Sequence, residues 1–138
     1  MIKVRFVACI LFVILSDLSY SQNAKTANYH NDKAIDELMN GNNQTALYEI
    51  NQAININPKN ANYYYIRGMI LQKMNDLNKA LIDYKKTLSL NSKHIDATMK
   101  CAVVYAKQND KIKSCEYFKR ACNLGESKAC DGYYKFCN

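Results

Sequence analysis

The sequence predicts an all-α protein, a solenoid of about three antiparallel helix-turn-helix repeats closed by a C-terminal capping helix. Three observations predict it. Residues recur in a 34-residue register, each window splits into two helical patterns around a polar break, and cysteines gather at the end of the register. The register aligns Ala34, Gly68 and Ala102, then Ala46, Ala80 and Ser114, then Ile50, Tyr84 and Phe118, and then Ala53, Thr87 and Ala121. Small columns suit a close approach of two helices, and a large column fills the core between them.

The first segment reads as a leader. Lys3 and Arg5 precede the apolar run from Phe6 to Leu15, and the small residues Ser19 and Ser21 are placed for cleavage before Gln22. Residues 1–21 are therefore expected to be a secretory signal peptide, and 22–138 the exported chain. A membrane anchor would need about 20 apolar residues, and Ser16 and Asp17 interrupt this run too early. Cys9 lies inside the run, a poor position for lipid attachment.

The repeats are expected over 27–60, 61–94 and 95–128. Their breaks begin at Asn40, Met74 and Gln108. In the second window Tyr64, Gly68 and Leu71 share one helical face, and Ala80, Leu81, Tyr84 and Leu88 share another. Pro58 with its neighbouring asparagines, and Asn91 to Lys93 one repeat later, end the second helices.

The stretch from Tyr63 to Asn91 resembles a complete tetratricopeptide repeat, with Tyr64 in the place of the usual tryptophan, then Gly68, Leu71, Ala80 and Tyr84. The first window keeps Ala34, Ala46, Ile50, Ala53 and Pro58, but carries His30 and Lys33 where large apolar residues are usual, so a loosely packed terminal repeat is expected. The resemblance covers residues 27–128. It implies a right-handed stack of helix pairs with a concave face lined by the first helices.

The capping helix is expected over 127–137, after Gly125 as a turn. Export makes disulfides the default for Cys101, Cys115, Cys122, Cys130 and Cys137. If the last two helices are antiparallel, facing residues have numbers of constant sum. Cys122 with Cys130 and Cys115 with Cys137 share one sum, which places both pairs on one seam about 10 Å apart and leaves Cys101 free. The competing choice pairs Cys101 with Cys115. No CxxC pair is present, and His30 and His94 stand apart from the cysteines, so neither a metal nor a cofactor is expected. Residues 114–137 also resemble the cysteine-rich Sel-one-like helical repeats, in which a pair spaced as Cys122 and Cys130 links one helix to the next. That family's longer repeat period is absent.

Cleavage would remove Lys3, Arg5 and Asp17, so the net charge of +7 falls to +6. The lysines are spread along helices, the pattern of solvated faces, with attraction to an acidic partner as the sharper alternative. No basic run interleaves with aromatics, so nucleic acid is not an expected partner. Catalysis is not expected either, because Ser92 and His94 fall in a polar connection and no nucleophile is paired with a base.

The function expected is that of a non-enzymatic adaptor or scaffold, periplasmic or secreted, that binds a peptide or partner protein. Carried over from the resemblance, Asn62, Tyr65, Met69, Gln72, Lys73, Met99, Val103 and Lys107 would line the concave face. The lysine and asparagine arrangement by which some family members hold a peptide's terminal carboxylate is not intact, so chaperone-tail recognition is not expected. The alternatives are an oligomerisation or scaffold component of an envelope complex and, more remotely, a small hydrolase of the cysteine-rich helical-repeat type. Asn43, Gln44 and Thr45 form a glycosylation sequon, relevant only in a eukaryotic source.

Overall fold

The computed structural model describes the backbone of residues 2–137 and the side chains of Ser19 and residues 21–137. Apart from Ser19 and Ser21, the side chains of the expected leader lie outside the described residues. Seven helices and no strand are found there: α1 (Ile2–Met39), α2 (Asn43–Ile56), α3 (Ala61–Lys73), α4 (Leu77–Leu90), α5 (Ile95–Lys107), α6 (Lys111–Asn123) and α7 (Ser127–Cys137). Successive helices pack in pairs, α1 on α2, α3 on α4 and α5 on α6.

The hairpin turns share one construction. Gly41, Asn75 and Asn109, one repeat apart, adopt the left-handed conformation with φ of 82°, 63° and 60°. Glycine does so freely, and asparagine tolerates it because its short amide bonds locally. The next residue caps the second helix in two of the three turns. Asp76 accepts from Lys79 N and Asp110 from Lys113 N, each at 3.1 Å. In the first turn Asn42 donates instead to Glu37 Oε2 at 2.7 Å.

The link from α6 to α7 repeats this turn. The N–H groups of Leu124, Gly125 and Glu126 donate to Arg120, Cys122 and Ala121 carbonyls, as those of Met74, Asn75 and Asp76 donate to Ile70, Gln72 and Leu71. Gly125 has φ 97°. The connections between repeats are looser, held by Asn57 Oδ1 accepting from Lys59 N and Asn91 Oδ1 accepting from Lys93 N. The tight turn folds α7 back on α6 as a hairpin, and the two pack more extensively than α2 with α3 or α4 with α5. Disulfides Cys115–Cys137 and Cys122–Cys130, the two pairs of equal sum, cross this seam with Cα atoms 5.7 and 4.6 Å apart. Cys101 is free and buried, and burial pushes its thiol up to about 12, far from the thiolate a nucleophile requires.

All four aligned columns are buried. A Cβ on Gly68 would stand 2.6 Å from Tyr84 Cε1, so a fully buried aromatic ring of the second hairpin dictates glycine opposite it. Between the two disulfides, a Cβ on Gly132 would approach the Phe118 ring at 3.2 Å. There too, a glycine admits an aromatic ring across the seam.

A second register is polar. Lys33 and Arg67 occupy one column, and Glu49 and Asp83 face them. Arg67 grips Asp83 with two N–H donors at 2.7 and 2.8 Å and donates to Asn51 at 2.9 Å. Glu49, only 4% exposed, accepts from Lys33 Nζ and from His30 Nδ1, both at 2.7 Å. The loose packing expected of the first window is therefore not found. His30 and Lys33 depart from the apolar pattern because they satisfy a buried carboxylate, while Ala34, Ala46, Ile50 and Ala53 beside them are fully buried. In the third hairpin the same positions hold Cys101 and Tyr117, and the ion pair is gone.

Gly68→Ala should lower stability by about 1 to 3 kcal/mol, because Tyr84 has to leave its rotamer or the helices have to separate. Thermal unfolding measures it, and a melting temperature at or above that of the parent would contradict the packing. The hydrogen bonds from Lys33 and His30 hold the Glu49 carboxyl below its usual range. A carboxylate with a depressed folded pKa stabilises above its unfolded pKa, about 4.3, and loses that contribution as pH falls through the folded value. Glu49→Gln should therefore be less stable than the parent at about pH 5.5, with the gap narrowing toward about pH 3. A gap independent of pH would show that the ion pair contributes nothing.

Candidate functional site

Three first helices form the floor of a groove. Leu38 from the end of α1, Met69, Gln72 and Lys73 from α3, and Lys100 and Lys107 from α5 line a cavity of about 370 Å³. Each helix ends at its hairpin turn, so the last turns of α1, α3 and α5 come to lie side by side. Lys73 and Lys107 occupy equivalent final positions one repeat apart, and Lys100 stands seven residues, about two turns, before Lys107 on the same face. None of the three lysines is in an ion pair among the described residues, unlike Lys33, Lys79 and Lys113.

Gln72 is held in place. Its Oε1 accepts the Tyr84 hydroxyl at 2.7 Å, so the amide nitrogen is the group left to donate to a ligand carbonyl. Tyr84 is itself fully buried, and burial raises the pKa of its hydroxyl, which remains a neutral donor. The floor thus combines a thioether, a leucine, an oriented amide and three cations, a set that suits main-chain carbonyls, apolar side chains and carboxylates.

The structure brings together Met69, Gln72, Lys73 and Lys107 of the eight residues expected on the concave face. Val103 lies in a second cavity of about 600 Å³ that also includes Lys107. Asn62, Tyr65 and Met99 line neither cavity. Asn62 is exposed, and its N–H bonds to Asn60 Oδ1 as part of the cap of α3. Tyr65 is half-buried, its ring centroid 4.8 Å from His94 and 6.0 Å from Tyr84, and Met99 packs beside Ala102 and Phe118.

Two lining residues were not among those expected. Leu38 is the register equivalent of Gln72, so transferring that position one window back would have found it. Lys100 occupies the column of Ile66, where the second window is apolar, and only its helical phase relative to Lys107 points to it. His94 has a structural role, with Nδ1 accepting from Ala97 N at 3.2 Å to cap α5. Among the described residues, no three His, Cys, Asp or Glu side chains gather in a way that could hold a metal, and no helix is long and apolar enough to cross a membrane.

Residues 49–82 match the family model described as Tetratricopeptide repeat, a segment as long as the register itself. No curated protein matches the chain. Among solved structures, the chain is similar to the TPR domain of Arabidopsis OM64, with 18% identity over 82% of this chain and 94% of that one and a TM-score of 0.77. It is similar to the first TPR of Spaghetti (RPAP3) bound to HSP90 peptide SRMEEVD, with 14% identity, 82% and 91% coverage and a TM-score of 0.76. The TPR2B domain in a pHsp70 complex of yeast Sti1 gives 18% identity, 81% and 96% coverage and a TM-score of 0.74.

Proposed function

We propose that this tetratricopeptide-repeat chain is an exported, non-enzymatic adaptor that holds an extended segment of a partner protein in the groove between α1, α3 and α5. The observation that carries the reading is the convergence of Lys73, Lys100 and Lys107 around Met69 and the oriented amide of Gln72. Three cations without partners repel one another, and a segment bearing carboxylates relieves that repulsion. The repeat match, and the similarity to TPR structures solved with an HSP90 peptide and in a pHsp70 complex, support a partner-binding use of the fold. The leader pattern and the two disulfides support export to an oxidising compartment, periplasmic or extracellular.

The alternative of an oligomerisation module is less well supported. It calls for apolar surface concentrated on the first window, whereas the exposed large apolar side chains are spread from Tyr29, Met39 and Tyr48 to Ile82, Ile112 and Tyr134.

Selection from a library of ten-residue peptides, displayed on phage, tests the groove. Sequences enriched on the parent should bind the Lys73→Ala/Lys107→Ala variant at least about tenfold more weakly, with little change in melting temperature, since both lysines are exposed. Failure to enrich any sequence, or binding indifferent to the double substitution, would contradict the reading.

A further inference from the structure

We infer that the groove continues into an anchor pocket between α5 and α6, bordered by Phe136 of α7, which takes one large apolar side chain of a bound segment whose neighbouring positions are acidic. The inference rests on the groove reading above and specifies its ligand. The pocket is the cavity of about 600 Å³ lined by Val103 and Ala106 of α5, Cys115 and Phe118 of α6, and Phe136 of α7. Lys107 lines both this cavity and the groove, so the two adjoin at the end of α5.

Apart from Lys107, Asn109 and Lys111, the lining presents apolar or already bonded groups. Its Ser114 hydroxyl donates to Ala102 O at 3.0 Å, and the Cys115 sulfur is committed to Cys137. Phe136 is 59% exposed although it borders an apolar cavity of this size. Covering that ring and seating a side chain in the cavity removes apolar surface from water on both sides, the arrangement of an interface anchor. The disulfide contributes directly, because it bonds the residue after Phe136 to a residue of the pocket wall and so fixes the ring beside the cavity.

Charge selects the rest of the ligand. Lys73, Lys100 and Lys107 lie on the groove side and Lys111 on the pocket side, and none is ion-paired among the described residues. An extended segment advances about 3.4 Å per residue and turns alternate side chains to the same face, so an apolar residue in the pocket brings carboxylates one to four positions away within reach of the lysines. The ligand class is an acidic segment containing a phenylalanine or leucine anchor.

The test uses the full exported chain in oxidising buffer and a synthetic array of ten-residue Ser-Gly peptides. Each carries two Glu and one Phe, at every separation from one to four, with matched peptides in which Phe is replaced by Ala or both Glu by Gln. Fluorescence polarisation reads affinity. At the best spacing, Phe should improve binding about tenfold over Ala, and Gln for Glu should weaken it by a similar factor. In Phe136→Ala the advantage of Phe over Ala should fall to about twofold, and Ala106→Leu, which intrudes on the cavity from an exposed helix position, should reduce it likewise.

Binding by Glu peptides with no gain from Phe at any spacing overturns the pocket and leaves the groove standing. An undiminished Phe advantage in both variants places the anchor elsewhere and also overturns the pocket. Failure of every arrayed peptide to bind overturns the ligand class and the pocket together, while the groove is judged separately by the library selection.

Discussion

The structure depends on one recurrent constraint, a left-handed residue followed by a tight return of the chain, which forces two helices to run antiparallel in close contact. Gly41, Asn75 and Asn109 provide it inside the three repeats, and Gly125 provides it once more between α6 and α7. With the turn fixed, the height at which each residue of one helix meets the next is fixed as well. That is why Gly68 has to face Tyr84, why Glu49 meets Lys33 and Asp83 meets Arg67, and why two pairs of cysteines fall on one seam. The groove is a further consequence, because turns of equal length bring the last turns of α1, α3 and α5 together.

The means of locking each hairpin changes along the chain. The first two carry a buried carboxylate held by basic side chains that reach solvent. The third replaces the pair with Cys101 and Tyr117. The last is closed covalently, where loops of 8 and 22 residues suggest about 2.5 and 3.4 kcal/mol from the two disulfides taken singly. A helix at the end of a stack has only one neighbour and would otherwise fray. The covalent lock thus sits where packing is weakest, and it holds the wall of the apolar pocket in place.

Much of this was legible in the sequence because the repeat forces small and large residues into columns. The helix pairs, the buried positions Ala46, Tyr84 and Ala121, and the antiparallel seam of α6 and α7 all follow from spacing. The groove was less legible. The resemblance, carried along the period, points to Met69, Gln72, Lys73 and Lys107, but whether a residue at a given phase faces solvent or a neighbouring helix depends on how repeats are rotated against each other. Tyr65 illustrates the gap, since its ring lies between His94 and Tyr84. His30 and Lys33 mislead for a different reason, because their partner Glu49 is nearly a window's half-length away and only the folded hairpin shows that it needs them. The tightness of the turn at Gly125 was also hidden, because a glycine after a helix fits a loose link equally well.

Native-state hydrogen exchange across α7 tests most directly whether the fourth turn and its two disulfides hold that helix in the stack. With the disulfides intact, the amides of α7 should be protected to a degree approaching those of α6. Reduction should release α7 while α3, α4 and α5 keep their protection. Rapid exchange of α7 in the oxidised protein, or protection that survives reduction unchanged, would contradict the account.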